Sequence, residues 1–318
     1  MSEQRSISFY ELLSTEWPEE VFIEGGLLSR GDTMLIGCES KGGKTTLLND
    51  LRKALITGGA FLGFKVPKPL KVLSLQAELR EGRLKERSKP TYTDIPEDFL
   101  KNSHTWATKN RVLFCRDDEA IHNECERLRP DVIEIDPMIN FHSFNENNAQ
   151  DMATFFRSVD RLKDTFNVSI LMAQHFRKNT DPKAKISLLD MIRGSTAIRG
   201  WASTTIAMEG RTPTEYRELA IETRNSDEAI KRIIKYNSKT KSFDWNDPVA
   251  IVGAWALEFL GNNGTNYTTT MFTQAIMERH GNLFSHNHQK VFEVKQILLR
   301  TNLIKETQQG KCKFVSRC

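Results

Sequence analysis

The sequence has few cysteines, no long apolar run and almost no net charge. Its five cysteines are scattered over 318 residues, and none forms a CxxC pair or a metal-binding spacing, which is typical of a reducing compartment. No apolar run approaches the roughly 20 residues that a membrane-spanning helix requires. The first residues also lack the apolar segment of a secretory signal. We therefore expect a cytoplasmic protein without a membrane span.

The charge balance gives little evidence of a partner by itself. Forty-five Lys and Arg residues face 41 Asp and Glu residues, a net charge of +4, which is too small to indicate nucleic-acid binding. Hydrophobic residues make up 39% of the chain, so it can bury a core. At roughly 150 residues per domain, the length indicates about two domains.

Short β-rich runs alternate with helical patterns from about Gly31 to Ser242. The predicted strands are Thr33–Ile36, Lys71–Leu75, Val112–Cys115, Val132–Asp136, Val168–Ala173, Ser203–Met208 and Glu218–Glu222. Predicted helices between them include Lys44–Ile56, Asp118–Arg127 and Ala149–Phe166. This alternation predicts an α/β fold with a mostly parallel sheet and helices on both faces. The later strand patterns Arg232–Asn237 and Ser242–Trp245 follow without helices, and predict appended antiparallel hairpins.

The pattern changes after the polar segment Asp244–Pro248. Residues 247–318 predict three helices and a hairpin, namely Val249–Gly261, Thr268–Arg279, His288–Arg300, Leu303–Glu306 and Lys313–Ser316. This is the outline of a winged helix, and the segment carries eight Lys and Arg against five Asp and Glu residues, a net charge of +3. A DNA-contacting winged helix and a docking or structural cap both remain open. The expected organisation is an N-terminal segment (1–30), an α/β domain (31–246) and a winged-helix-like domain (247–318).

The strongest motif is the run Gly-Cys-Glu-Ser-Lys-Gly-Gly-Lys-Thr-Thr at residues 37–46. It follows a predicted strand and opens a predicted helix, which is the context of a phosphate-binding loop. Its glycines let successive backbone N–H groups point at phosphate oxygens, and the helix N-terminus adds partial positive charge. The predicted nucleotide-binding residues are Glu39, Ser40, Lys41, Gly42, Gly43, Lys44, Thr45 and Thr46.

This loop makes ATP and Mg²⁺ the expected ligands. Lys44 is expected to reach the β- and γ-phosphates, and the Thr45 hydroxyl to ligate Mg²⁺. The strict pattern has glycine where Cys38 stands, but a small residue fits that turn. A glycine- and lysine-rich turn without a ligand is the alternative.

Two carboxylates follow predicted strands. Asp136 ends an apolar run, as does the aspartate that holds Mg²⁺ beside a phosphate loop. Glu78 follows another strand, where a carboxylate can polarise the attacking water; alternatively it starts the next helix. Glu134 shares a strand face with Asp136, and its role stays open. Gln174 and His175 end a third strand, where they could sense the γ-phosphate or serve a structural purpose.

As a set, these motifs resemble the RecA-fold ATPases of the plasmid RepA-type hexameric helicase group, which are related to DnaB. The resemblance covers about residues 18–245. The stretches that carry it are Phe22–Asp32, Gly37–Thr46, Asp136–His142 with the Asn-rich Asn145–Asn148, Gln174–Lys178 and Arg193–Thr196.

The resemblance implies roles for individual residues. Glu78 matches the catalytic carboxylate, Asp136 the magnesium-binding aspartate and His175 the second histidine of a sensor pair, in which Gln174 replaces the first. Members of the group also use an arginine from the neighbouring subunit. The segment Ala220–Asn225 is similar to the strand that carries it, so Arg224 is the first candidate, although Glu222 stands where a lysine is usual. Arg193 and Arg199 remain candidates too.

A loop after the third strand is rich in basic residues. In RecA-like rings the equivalent loop lines the central channel, and a basic loop there would follow a phosphate backbone without reading bases. A solvated lid over the nucleotide is the alternative. The candidate DNA-binding residues are Arg177, Lys178, Lys183, Lys185 and Arg193.

Several functions fit these features. The first is an ATP-driven replicative helicase or translocase that forms a ring, expected to be hexameric, with single-stranded DNA at the core loops. The second is an ATP switch that binds DNA, duplex DNA included, through the C-terminal domain and loads or regulates replication, mobile-element or defence proteins without unwinding. A recombinase-like filament is a third, and a small-molecule kinase would not need the Gln-His and Arg-Gly-Ser stretches.

Overall fold

The computed structural model describes residues 6–16, 19–107, 114, 116, 118–177, 186–209, 215–224, 229–262, 267–280, 288–300, 304–309 and 312–317. The helices are α1 (Phe9–Ser14), α2 (Lys44–Thr57), α3 (Glu81–Tyr92), α4 (Glu97–Leu100), α5 (Asp118–Leu128), α6 (Ala149–Phe166), α7 (Thr196–Trp201), α8 (Pro248–Asn262), α9 (Thr269–His280) and α10 (His288–Arg300), with 3₁₀ turns at Met138–Phe141 and Leu189–Met191. The strands are β1 (Val21–Ile23), β2 (Leu28–Ser29), β3 (Thr33–Cys38), β4 (Ala60–Phe61), β5 (Phe64–Lys65), β6 (Val72–Gln76), β7 (Ser103–Ala107), β8 (Val132–Asp136), β9 (Ser169–His175), β10 (Thr204–Met208), β11 (Tyr216–Thr223), β12 (Ile230–Asn237), β13 (Ser242–Asp244), β14 (Tyr267–Thr268), β15 (Ile304–Gln309) and β16 (Cys312–Arg317).

Within these described ranges, nine strands form one sheet in the order β13-β12-β11-β10-β3-β9-β8-β6-β7. The strands from β10 to β7 run parallel, and β11, β12 and β13 are added antiparallel at one side. The predicted α/β fold, the mostly parallel sheet and the appended antiparallel strands are therefore confirmed.

The central strands are covered on both faces. Every residue of β3, β6 and β8 is buried, as expected for parallel strands between two layers of helices. One apolar cluster packs α2 against the sheet, and a second packs α5 and α6 against the other face. The α6 helix has clear ends, because the Asn148 side chain accepts the N–H groups of Gln150 and Asp151, and Asn167 adopts a left-handed conformation.

The predicted strand at Val112–Cys115 lies almost entirely outside the described residues. The edge of the described sheet is instead β7, which pairs with β6 and was missed. Its sequence, Ser-His-Thr-Trp-Ala, has no apolar run because the strand is only partly buried. Cys125 is fully buried in the core, whereas Cys115 lies outside the described residues.

The C-terminal region runs helix, strand, helix, helix, strand, strand, and β14, β16 and β15 form a small sheet. The short strand β14 was not predicted. Helix α8 packs against β12, and a Cβ on Gly253 would lie 3.1 Å from both Ile233 and Leu298 side-chain atoms. The region therefore shares core contacts with the main sheet, and its assignment as a winged helix stays a prediction.

No helix in the described part of the chain is long and apolar enough to cross a membrane.

Candidate functional site

The phosphate loop connects the central strand β3 to α2. Lys41 and Gly43 have positive φ values of 63° and 114°. A Cβ on Gly43 would lie 3.1 Å from Cζ of Phe243, so both its backbone angle and its close packing favour glycine. Cys38 is the last residue of β3 and is not among the residues with positive φ. This explains why the first motif position tolerates a residue other than glycine.

Two buried charged groups meet at the base of this loop. Lys44 Nζ lies 3.3 Å from Asp136 Oδ1, and their side chains are only 6% and 1% exposed. Neither atom has a hydrogen-bond partner. Buried polar atoms are rarely left in this state, so the pair fits a site that phosphate oxygens and Mg²⁺ would complete.

Gln76 links the Asp136 carboxylate to the backbone of Glu78, and sequence reasoning missed it. It pairs with Asp136 in the β6–β8 register, and its Nε2 donates to Asp136 Oδ2 at 3.1 Å. Its Oε1 accepts the Glu78 N–H at 2.9 Å. The available signal was its place directly after the predicted strand Lys71–Leu75, two residues before Glu78.

Glu78 and His175 come together across the mouth of the site. His175 Nε2 lies 3.7 Å from Glu78 Oε1, and this contact with the imidazole holds the pKa of Glu78 below its ordinary value. The carboxylate is 40% exposed and His175 is 25% exposed, so both reach solvent. The position of Glu78 fits a group that polarises water.

Gln174 does not face the nucleotide cleft. It is fully buried, and its Nε2 donates to Glu146 Oε1 at 2.7 Å and to the Arg193 carbonyl at 3.3 Å. Its Oε1 accepts the His175 N–H at 3.0 Å. Gln174 therefore holds the end of β9 in place, and reaches the cleft only through His175.

A cleft of about 870 Å³ opens over the phosphate loop. Predicted residues that line it are Glu39, Ser40, Lys41, Gly43, Lys44, Thr45, Thr46, Glu78 and His175. Gly42 is not among the lining residues, and Asp136 lies buried beneath them. Lining residues that sequence reasoning missed are Asn49, Leu79, Glu86, Arg87, Tyr236 and Lys241; several of these lie on α3 or the β12–β13 hairpin, which only the folded chain brings to the loop.

Glu134 lies one pleat below Asp136 and is completely buried. Its carboxylate pairs with the buried Arg52 guanidinium through both oxygens, and Ser74 Oγ donates to it at 3.0 Å. This pair ties α2 to β6 and β8. The structure thus assigns Glu134 to packing of the sheet, away from the cleft.

The candidate arginines occupy three different places. Arg224 follows β11 beside Ser203, at the end of the sheet opposite the phosphate loop. Arg199 pairs with Asp190 and Glu222. Arg193 pairs with Glu146 at 3.2 Å, near the end of β9. Arg177 is exposed beside it, whereas Lys178, Lys183 and Lys185 lie outside the described residues.

Comparisons with solved structures find the same fold in other proteins. A structure described as an ATPase domain matches with a TM-score of 0.50 and 12% identity, covering 67% of this chain and 84% of that one. A DnaB-like replicative helicase, described with its interactions with primase, matches with a TM-score of 0.51 and 12% identity, covering 67% of this chain and 57% of that one. A KaiC-like protein, PH0186 from Pyrococcus horikoshii OT3, has a TM-score of 0.47 at 14% identity, covering 70% and 92%. The first two likenesses confirm a RecA-like fold.

A comparison with curated proteins returned no match. A family model described as an AAA domain matches residues 5–181, which is more than half of the chain and includes the phosphate loop, Glu78, Asp136 and His175. This match supports a nucleoside triphosphatase, and it shows that the chain belongs to the AAA domain family, here with a RecA-like fold.

Proposed function

We propose that the chain hydrolyses ATP with Mg²⁺ and acts as a DNA-binding RecA-fold motor, in a ring-forming replicative helicase or translocase with a hexameric ring. One observation carries the ATPase part of this proposal. Lys44 and Asp136 are buried 3.3 Å apart at the base of the cleft, and Nζ and Oδ1 have no hydrogen-bond partner. A bound nucleotide and its metal would supply the missing partners.

The phosphate loop would bind the triphosphate. Backbone N–H groups of the loop, other than that of Gly42, which donates to the Glu39 carbonyl, and the N-terminus of α2 favour anionic oxygens. Lys44 would neutralise the β- and γ-phosphates. Thr45 and Asp136 would hold Mg²⁺ together with phosphate oxygens. When bound, the ion would neutralise charge that develops on the phosphoryl group. Gln76 keeps Asp136 oriented through its 3.1 Å hydrogen bond.

Glu78 is our choice for the group that polarises the attacking water. The contact with His175 holds its pKa below the ordinary value, which favours the charged form, and its exposed carboxylate leaves room for a water molecule. His175 contacts this carboxylate, so it can respond to the γ-phosphate while it orients Glu78. Gln174 supports His175, because its Oε1 accepts the His175 backbone N–H.

An arginine from a second copy would complete the site. Arg224 stands beside the start of β3, whereas the phosphate loop follows its end. Five residue steps of a strand separate these points by roughly 16 Å. Arg224 therefore cannot reach the nucleotide of its own chain, which supports a role toward a neighbouring subunit.

The basic loop after β9 would contact single-stranded DNA through Arg177, Lys178, Lys183, Lys185 and Arg193. Arg177 and Arg193 stand at the base of this loop, where the Arg177 N–H donates to the Met191 carbonyl and the Arg193 N–H to the His175 carbonyl. The contact between Arg193 and His175 would connect DNA bound at these positions to the end of the cleft that would hold the γ-phosphate.

A second candidate function is a DNA-binding ATP switch that loads or regulates other proteins without unwinding. The C-terminal region favours this possibility, because its order of helices and strands suits a winged helix that would bind duplex DNA. It would hydrolyse ATP slowly, and assembly into a ring would not be needed.

One experiment separates these functions. The ATPase rate is measured with and without single-stranded DNA, and mass photometry with ATP measures the assembly state. A ring motor predicts DNA stimulation and an oligomer. A monomer without stimulation would reject the motor and favour the switch.

A further inference from the structure

Glu146 is a buried carboxylate that joins three segments next to the cleft without lining it. Its Oε1 accepts from Gln174 Nε2 at 2.7 Å, and its Oε2 lies 3.2 Å from Arg193 Nε. Its main-chain carbonyl accepts the Ser195 N–H at 2.8 Å. The loop after β8, the end of β9 and the segment before α7 therefore meet on this one residue.

The close approach of these segments is built into the backbone. Gly194 has a φ of +105°, and a Cβ on it would lie 3.0 Å from the Glu146 carbonyl oxygen and 2.3 Å from Ile198 Cδ1. A side chain at residue 194 would push Arg193 and Ser195 away from Glu146. The glycine is needed for the ion pair to form as it does.

The two members of the ion pair differ in their access to solvent. The Glu146 side chain is only 4% exposed, whereas that of Arg193 is 48% exposed. An external anion can therefore reach Arg193 but not Glu146. Arg199 is less available to an external anion, because Asp190 and Glu222 both pair with its guanidinium.

A continuous set of contacts leads from Arg193 to the cleft. Glu146 holds the Gln174 amide, Gln174 Oε1 accepts the His175 N–H at 3.0 Å, and His175 Nε2 lies 3.7 Å from Glu78 Oε1. Gln174 is fully buried, so it cannot move without changing its bond to Glu146 or its support of His175.

We propose that Glu146 is a positioning residue that couples polynucleotide binding to ATP hydrolysis by competing with backbone phosphates for Arg193. When a phosphate takes Arg193, the buried Glu146 carboxylate loses its cation, and an uncompensated buried charge is unfavourable. Glu146 and Gln174 then rearrange, and His175 shifts its contact with Glu78. In the arrangement in which Glu146 pairs with Arg193, ATP hydrolysis is slow. This inference rests on the proposed function, since it requires ATP hydrolysis and DNA binding.

The test is Glu146→Gln, which keeps the size of the side chain and an oxygen for Gln174 but removes the charge. The ATPase rate is measured with and without oligo-dT, with kcat and KM separated. Coupling between sites is typically 5–150-fold, so we expect DNA stimulation to fall by about tenfold, mainly because the DNA-free kcat rises. A merely structural role would lower both rates and leave their ratio unchanged. Glu124→Gln, which breaks the exposed Arg127–Glu124 pair, is the matched control and should keep the wild-type ratio.

The outcomes separate the two levels of the proposal. If the wild-type chain neither hydrolyses ATP nor responds to DNA, the proposed function is wrong and this inference fails with it. If the wild type is stimulated and Glu146→Gln is stimulated equally, only the inference is overturned. Should Glu146→Gln fail to fold by circular dichroism, Arg193→Met breaks the pair from its exposed side. If DNA stimulates the ATPase rate of Arg193→Met as much as that of the wild type, the inference is overturned as well.

Discussion

At the scale of single residues, the cleft contains polar atoms that are buried before any ligand is present. Lys44 Nζ and Asp136 Oδ1 lie 3.3 Å apart and have no hydrogen-bond partner, while the second oxygen of Asp136 accepts from Gln76 Nε2. A group held in this way is oriented in advance, which lowers the reorganisation needed when charge develops.

Lys44→Ala and Asp136→Ala should each abolish measurable ATP turnover, because each removes a charge that would face the phosphates or the metal. A loss of at least about 10²-fold is expected from the usual effect of one electrostatic contact. Steady-state phosphate release measures this. Lys101→Ala, on an exposed helix-end pair, is the control, and unchanged turnover in either site variant contradicts the assignment.

The pH dependence of turnover should depend on His175. The contact with His175 lowers the pKa of Glu78, so the carboxylate stays charged to a lower pH than usual. His175→Ala removes that contact, and the pKa of Glu78 should rise toward its ordinary value. The acid limb of the kcat profile then moves to higher pH. A limb that stays in place would show that Glu78 is not the group that titrates.

At the scale of elements, buried ion pairs join helices to the sheet. The Arg52–Glu134 pair lies between α2 and the strands β6 and β8, where neither partner can recover contact with water. Removing one partner leaves the other charged and buried, which is far less favourable than losing an exposed pair.

Glu134→Ala should therefore lower the free energy of unfolding by about 3–5 kcal/mol. Glu124→Ala breaks an exposed pair on α5 and should cost no more than about 1 kcal/mol. Urea denaturation followed by circular dichroism compares the two. Equal losses would mean that the buried pair is not an important link between α2 and the sheet.

The C-terminal helices show that a charge count overstates the available basic surface. Lys295 adds to the +3 of this region, but it is buried and pairs with Glu306 at 2.7 Å. Lys305, on β15, is exposed. If the region binds DNA, Lys305→Ala should weaken binding and reduce by about one the slope of the logarithm of the binding constant against the logarithm of the salt concentration. Lys295→Met should mainly reduce the stability of the fold. Fluorescence anisotropy at several salt concentrations measures DNA binding by both variants. An equal loss of binding in Lys305→Ala and Lys295→Met would contradict this prediction.

At the scale of the whole molecule, the sheet separates Arg224 from the phosphate loop of the same chain. The antiparallel turn of β11 returns the chain to the end of the sheet where β3 begins. A site that needs this arginine would be complete only between two copies.

Arg224→Ala should reduce turnover by about 10³–10⁵-fold while nucleotide binding stays intact. Mixing Arg224→Ala with Lys44→Ala should restore part of the activity, because the second chain supplies the arginine and the first supplies the phosphate loop. Arg127→Ala is the control. No recovery on mixing, with both variants oligomeric, would contradict a role between subunits and favour Arg193 or Arg199.

The sequence alone determined the α/β fold, the mostly parallel sheet, the phosphate loop and the strand ends that carry Glu78, Asp136 and His175. These features depend on local patterns, namely apolar runs of strand length and a glycine-rich turn before a helix. The edge strand β7 escaped prediction because a partly buried strand has no apolar run.

Which of these side chains meet depends on long-range packing. Gln174 and His175 are neighbours in sequence, yet alternation along β9 turns one toward Glu146 and the other toward Glu78. Glu134 and Asp136 likewise share a strand face, but the depth at which each sits pairs one with Arg52 and the other with Lys44. Burial and long-range packing set these partners, and a linear pattern contains neither.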